Sequence, residues 1–321
     1  MVECSISEAA AIIRQSHKLA IVAHVNPDPD TLGSVLGLGR ALEKTGKEII
    51  MLVDDKIAHS LNFMPGIGEI KRPEEIREQA FDLLVILDAS DLDRIGNVAK
   101  GITAPILNID HHISNSLFAD YLVLDTKAAA TGEIIYLLLQ ELEIPLDIEI
   151  ATNLYTAIAT DCGFFQYANT TSRTMCCAAK LLEYGIKPNE ISDNLEVKTL
   201  ESIQLLSKVL QTMEFYSQNR IAVISLPKLL CQEGVETEGF IRYPRYIDGV
   251  EVAVLFKYVS DKTTRISMRS KNLDVSEVAL LFGGGGHKRA AGCTIYEDIN
   301  TAKNQLIKKL NEAIEAEENN A

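Results

Sequence analysis

An α/β architecture in two parts is expected: an N-terminal domain on a parallel sheet, joined by a helical linker to a smaller α/β domain. Three observations predict it. In the first half, short apolar runs at residues 19–23, 48–53, 82–87 and 105–109 alternate with helical patterns. Short, nearly continuous apolar runs suit strands buried on both faces, as in a parallel sheet between helical layers. The length of 321 residues suits about two domains. From residue 220 the texture changes, and strand-like segments replace a long helical stretch.

The elements follow in order. Ser5 and Ser7, followed by Glu8, can cap a first helix. The strand at 19–23 runs into a polar loop, His24-Val25-Asn26-Pro27-Asp28-Pro29-Asp30. A helix through Leu32, Leu36, Leu38 and Leu42 stops near Gly46. Strands are expected at 48–53, 82–87 and 105–109. Residues 128–184 read as mostly helical, with a break at Thr160-Asp161-Cys162-Gly163, and residues 188–212 as a helical connector. Beyond it come strands at 221–226, 250–258 and 265–269, then a short helix at 275–282. A glycine run at 283–286, a strand near 293–296 and an amphipathic helix at about 301–316 complete the chain. The expected limits are 1–190 for the first domain, 191–214 for the linker and 215–321 for the second.

Composition narrows the function. Hydrophobic residues make up 47%, enough for a sizeable core. The formal net charge of -14 argues against a protein that coats long duplex DNA, which needs many basic contacts to phosphate. It does not exclude a small anionic substrate, because local charge decides that case. The six cysteines form no CxxC pair, so reduced, mostly buried thiols are expected. The N-terminus lacks a basic segment leading into an apolar run, and no apolar stretch reaches membrane-spanning length. The expectation is a cytoplasmic protein without a membrane partner, its oligomeric state, a homodimer included, being open.

Three polar clusters fall just past apolar strands: residues 24–30, Asp88, and Asp110-His111-His112. In open α/β sheets ligands bind at that edge. Each cluster has an ordinary reading: a strand-end Asp is commonly a cap or turn former, and paired histidines are commonly solvated. Their coincidence at one edge favours chemistry. His24, Asp28, Asp30, Asp88, His111 and Asp161 are the candidate ligands, with Asp110 and His112 beside them. Four carboxylates in one pocket raise one another's pKa unless cations compensate. Two divalent ions would do so, with a carboxylate such as Asp88 between them, and could clamp a phosphoryl group. Mixed imidazole and carboxylate donors without thiolate suit Mn²⁺, with Mg²⁺, Co²⁺ or Zn²⁺ as alternatives.

These residues carry a resemblance. The run from His24 to Ser34 looks like the first motif of the DHH phosphoesterases. Asp88 in Ile86-Leu87-Asp88-Ala89-Ser90 is similar to the second, Asn108-Ile109-Asp110-His111-His112 to the motif that names the family, and Thr160-Asp161-Cys162-Gly163 to the fourth. The resemblance implies one metal held by His24, Asp28 and Asp88, and another by Asp30, Asp88, His111 and Asp161. It implies that His112 donates to a substrate phosphate and that Asp110 orients a neighbouring histidine.

The second domain is locally basic. Between residues 239 and 292, nine Lys and Arg face five Asp and Glu. Arg265, Ser267, Arg269 and Lys271 alternate, so they can share one strand face. Gly283-Gly284-Gly285-Gly286-His287 lets backbone approach an anion, although such a run is commonly only a flexible turn. The segment 265–270 with 283–292 resembles the DHHA1 domain. That resemblance implies substrate contacts from Arg269, Ser270, Gly285, Gly286, His287 and Arg289. Length and domain order look most like the NrnA-type nanoRNase and pAp-phosphatase branch. The implied activity degrades short single-stranded oligonucleotides to mononucleotides and removes the 3′-phosphate of pAp. Action on linear or cyclic dinucleotides (pApA, c-di-AMP) and a nucleotide-binding regulator without turnover are the alternatives.

Overall fold

The structure, a computed structural model, describes residues 1–76, 79–101, 103–231, 237 and 239–320. It divides into two compact units, Met1–Val197 and Lys198–Ala321.

The first unit opens with β1 (Val2–Glu3), α1 (Ile6–Gln15), β2 (Lys18–Val22), α2 (Pro29–Glu43) and β3 (Glu48–Leu52). Next come β4 (Leu83–Leu87), α3 (Val98–Gly101), β5 (Ile106–Asp110) and β6 (Tyr121–Leu124). Four helices close it: α4 (Thr131–Glu141), α5 (Ile148–Asp161), α6 (Ser172–Leu182) and α7 (Pro188–Glu196). The six strands lie in the order β1-β6-β5-β4-β2-β3, and every pairing is parallel. Ser5 caps α1 in a reciprocal box with Glu8. β1 and β6 were not anticipated. They are two and four residues long, too short to stand out as apolar runs.

The apolar strands bury both faces, each against a different layer. Leu19, Ile21, Val85, Leu87, Leu107 and Ile109 pack with residues of α1, α2, α4 and α5. Ala20, Val22, Leu84 and Ile86 point the other way, against Ile76, Phe81, Ile95 and Val98. That second layer consists of short helical turns and α3. β2 and β4 are neighbours in the sheet although β3 lies between them in sequence. The connections therefore diverge at their carboxyl ends, which opens a crevice there.

The second unit begins with α8 (Leu200–Leu210), β7 (Glu214–Tyr216), β8 (Ile221–Leu226), α9 (Arg242–Arg245), β9 (Val252–Ser260) and β10 (Thr263–Ser270). α10 (Val275–Leu280), β11 (Gly285–His287), β12 (Ala290–Ile295) and α11 (Ile299–Asn320) follow. Its sheet has the order β11-β12-β10-β9-β8-β7, mixed because β8 and β9 run parallel while the other pairs are antiparallel. Residues of α10 and α11 cover one face, and residues of α8 and α9 the other. The expected connector is thus split, α7 packing in the first unit and α8 in the second. The glycine run is not a plain loop, since Gly285 and Gly286 belong to edge strand β11. Among the described residues no helix is long and apolar enough to cross a membrane.

Close helix packing seats the crevice. A Cβ on Gly33 of α2 would fall 2.4 Å from the Asn153 carbonyl and 2.9 Å from the Ala157 Cβ, both on α5. At an ordinary helix-interior glycine, alanine gains about 0.5–1 kcal/mol. At Gly33 the sign should reverse. Gly33→Ala is expected to cost about 1–3 kcal/mol, read as a lower urea midpoint. A gain in stability would show that α2 and α5 do not pack this closely.

Candidate functional site

The site forms where β2, β4 and β5 end. Ala23 stays paired to the sheet through the Leu52 carbonyl, at 2.9 Å. His24 follows and is buried. Its Nδ1–H donates to the Val25 carbonyl at 2.8 Å, which aims Nε2 inward. Nε2 lies 3.6 Å from Asp28 Oδ2 and 3.5 Å from Asp88 Oδ2. Asn26, at a φ of 52°, turns the loop, and its N–H donates to Asp55.

Asp28 does two jobs. Oδ1 accepts from the Thr31 N–H at 3.0 Å and caps α2, while Oδ2 faces His24. The ordinary reading of a strand-end Asp and the chemical reading therefore hold for different oxygens of one carboxylate. Asp30 lies in the first turn of α2 and is buried. Its Oδ2 accepts from the Thr131 N–H at 2.8 Å, and its Oδ1 from the Gly132 N–H at 2.9 Å. These are the first N–H groups of α4, whose cap residue Ala130 supplies no side-chain acceptor. Asp30 thus caps a neighbouring helix, where the exposed N–H groups favour negative charge.

Asp88 is the centre. It sits one residue beyond β4, 2% exposed, in the left-handed region at a φ of 60°. A non-glycine residue there costs roughly 1–3 kcal/mol, and such strain clusters at functional sites. Its Oδ1 accepts from the Thr131 hydroxyl at 2.9 Å and lies 3.4 Å from His111 Nε2. Its Oδ2 faces His24. His111 is fixed by its Nδ1–H, which donates to the Ala128 carbonyl at 3.2 Å. Its Nε2 stands 3.9 Å from Asp30 and 3.6 Å from Asp161, the last residue of α5.

The two adjacent histidines have different settings. Asp110, the final residue of β5, is fully buried. Its Oδ1 accepts from both following backbone N–H groups and from His112 Nδ1 at 2.7 Å. Asn115 donates to its Oδ2 at 2.6 Å and to the Asn108 side chain at 2.8 Å. Asp110 therefore orients His112, not His111.

Charge is heavily concentrated here. Burial raises the Asp30 pKa well above its usual range, and the Asp88 and Asp161 carboxylates add to it. Burial, with Asp88 and Asp28 adding to it against the opposing His111, pushes Asp161 up to about 7. For Asp88 burial also acts upward, but the facing His111, His24 and His112 outweigh it and hold the carboxylate well below its usual range. Burial alone would lower the histidines. Asp28 and Asp88 instead lift His24 to about 10, and Asp88, Asp30 and Asp161 lift His111 to about 11. His112 is raised too, against burial, first by Asp110. The carboxylates thus draw positive charge, held as protons when no cation is bound.

The donor set fits divalent cations. His24, Asp28 and Asp88 form one compact group, and Asp30, Asp88 and His111 a second that shares Asp88. The separations of 3.4–3.9 Å between facing atoms exceed hydrogen-bond lengths. They approach the spacing of donors around an ion with bonds of about 2.0–2.2 Å. Asp88 and Asp110 also group with His112, but its contact to Asp110 is a hydrogen bond. Sequence reasoning missed Ala128, Thr131, Gly132 and Asn115, which hold this set in place. The available signal was Thr131-Gly132-Glu133 opening an apolar run, the marks of a helix start.

In the second unit the β-ladder sorts the expected substrate contacts. Arg269 pairs with Ala290, and Ala290 with His287, so the three share a row and a sheet face. The next row on that face is Ser267, Gly292 and Gly285. Small residues thus floor a strip between Arg269 and His287. Arg289 is exposed in the turn that joins β11 to β12. Ser270 is elsewhere. Strand alternation puts it on the buried face, where its hydroxyl donates to the Leu273 carbonyl at 2.6 Å. The Ser270 side chain is therefore turned away from the face that carries Arg269 and His287. The glycines divide as well. A Cβ on Gly284 would lie 2.2 Å from the Gly292 carbonyl, and one on Gly286 2.5 Å from the Ala290 carbonyl. Packing accounts for both, while a Cβ on Gly285 would meet nothing within 4 Å.

Known proteins share this organisation. Residues 18–158 match the DHH family, N-terminal domain, and residues 235–316 match the DHHA1 domain. The bifunctional oligoribonuclease and PAP phosphatase NrnA of Thermus thermophilus is 33% identical, over 92% of this chain and 89% of its own. The protein of the same name from Bacillus subtilis is 29% identical, over 85% of this chain and 88% of its own. The crystal structure of an exopolyphosphatase-related protein from Bacteroides fragilis superposes with a TM-score of 0.84 at 26% identity, covering 97% of this chain and 95% of that one. With two matched domains in order and buried His and Asp clusters at the end of a parallel sheet, the chain belongs to the DHH family of phosphoesterases.

Proposed function

We propose that this phosphoesterase uses two divalent metal ions to degrade short single-stranded oligonucleotides to mononucleotides, and that it removes the 3′-phosphate of pAp. One observation carries the two-ion reading. The buried Asp88 carboxylate turns one oxygen toward His24 and the other toward His111, with further carboxylates beside each histidine. The substrate reading is supported by the relatives from Thermus thermophilus and Bacillus subtilis, which are named as bifunctional oligoribonucleases and PAP phosphatases.

The roles follow from the chemistry of each group. His24, Asp28 and Asp88 would hold one ion, and Asp30, Asp88, His111 and Asp161 the other. Mn²⁺ suits these donors, with Mg²⁺ or Co²⁺ as substitutes. When bound, the ions supply Lewis acidity and positive charge against a phosphoryl group. Asp110 holds His112 in one orientation and favours its protonated form, ready to donate to a phosphate oxygen. The strip between Arg269 and His287 would bind a phosphate of a short substrate, with Gly285 admitting the anion to the backbone and Arg289 adding charge from the turn. A small basic strip in a chain of net charge -14 fits short substrates better than long ones.

Release of mononucleotides from a labelled RNA five-mer, and of phosphate from pAp, tests the substrate assignment. Faster turnover of pApA or c-di-AMP would move the assignment to dinucleotides. Asp88→Asn should lower turnover of both substrates by about 10²–10³-fold or more. Near-normal activity would refute the shared-carboxylate assignment.

Metal binding should release protons, because His24 and His111 stay protonated at neutral pH without a cation. Affinity should therefore fall as pH falls. Calorimetry of Mn²⁺ binding in two buffers of different ionisation enthalpy measures this; equal heats in both would contradict it. Finally, Gly285→Ala should raise KM severalfold with an unchanged Tm, whereas Gly284→Ala should lower Tm. Equal effects on Tm would remove Gly285 from the substrate strip.

A further inference from the structure

Three side chains of the site, His111, Asp88 and Asp30, bond to one short stretch, residues 128–132. The Ala128 carbonyl orients His111. The Thr131 hydroxyl donates to Asp88 Oδ1, and the Thr131 and Gly132 N–H groups donate to Asp30. The Ala129 carbonyl accepts from Asn169 Nδ2 at 3.1 Å, and the same amide donates to the Asp161 carbonyl at 3.2 Å. Asn169 therefore ties this stretch to the end of α5.

The stretch is clamped from behind. Glu133, fully buried, accepts from the Ala129 N–H at 3.3 Å and from the Thr174 hydroxyl at 2.8 Å, and it pairs with Arg173. Arg173 also reaches Asp125, at 2.7 Å. Asp125 is itself bonded back to β5, its N–H donating to the Asp110 carbonyl. An ion pair with one partner fully buried is a poor source of stability, because desolvation of that partner opposes the attraction. What it supplies well is a single geometry, and the geometry it holds is that of Ala129.

We infer that Glu133 and Asn169 are positioning residues for one of the two ions, the one assigned to Asp30, His111 and Asp161, and not for the other. The inference rests on the two-ion reading. The asymmetry is visible in the contacts. Asp30, His111 and Asp161 each reach the stretch directly or through Asn169. His24 and Asp28 are fixed within their own loop, by the Val25 carbonyl and the Thr31 N–H. Asp88 is shared, and Thr131 bonds the oxygen that faces His111, not the one that faces His24.

Calorimetric titration of the metal-free full-length protein with Mn²⁺ tests this, with Tm measured alongside. The native chain should bind two ions. Asn169→Ala and Glu133→Gln should weaken one ion by about 10–100-fold and leave the other within about twofold. Asn169 is exposed, so its variant carries the test alone if Glu133→Gln does not fold. Equal weakening of both ions, or a lower Tm with both affinities unchanged, would overturn the inference and leave the two-ion reading standing. Binding of fewer than two ions by the native chain would overturn that reading, and the inference with it.

Discussion

Charge buried at the end of a parallel strand organises this molecule. Asp88 is nearly inaccessible, stands in a left-handed turn and must be compensated by whatever surrounds it. Two histidines and a threonine hydroxyl do so within the chain, and three more carboxylates crowd the same crevice. Such a cluster is costly for a protein whose only requirement is to fold. The crevice is also where the connections of β2 and β4 diverge, so the fold supplies the room and the loops supply the charge.

The same carboxylates also do structural work. Asp28 caps its own helix, Asp30 caps α4, and Asp110 ties β5 to the two residues that follow. This dual use bears on how the site keeps its shape. Asp28, Asp30 and Asp110 each have at least one oxygen fixed by N–H donors, which limits collapse of the cluster while it carries protons instead of cations. His24 and His111 follow the same pattern, since each binds a backbone carbonyl through Nδ1 and directs Nε2 to the centre. Orientation by a distant hydrogen bond is how imidazole donors are kept in register.

The second unit obeys a different logic. Its strip between Arg269 and His287 arises from the register of three strands, with glycine and alanine between two larger side chains. Glycines close in sequence have separate causes there. Gly284 and Gly286 answer to backbone crowding, whereas Gly285 meets nothing in the protein that calls for it. A run of four glycines read as one motif hides that division.

Much of the first domain was legible in the amino-acid order. The apolar runs marked β2 to β5 because short, nearly continuous hydrophobic stretches have few other homes. The polar residues following them were recognisable as one edge for the same reason. β1 and β6 were not, because two to four residues carry too little pattern. Spacing also could not reveal that Asp30 would cap α4, or that Ala128, Thr131 and Asn169 would hold the site together. Those contacts join residues 17 to 102 positions apart, and backbone carbonyls and N–H groups leave no mark on residue type. Ser270 shows the same limit from the other side. It neighbours Arg269 in sequence, but the strand turns the two side chains to opposite faces. The sequence by itself determined which chemical groups are present and which strand ends they follow. Only the tertiary structure decided which oxygen faces which nitrogen, because that depends on helices packed from distant parts of the chain.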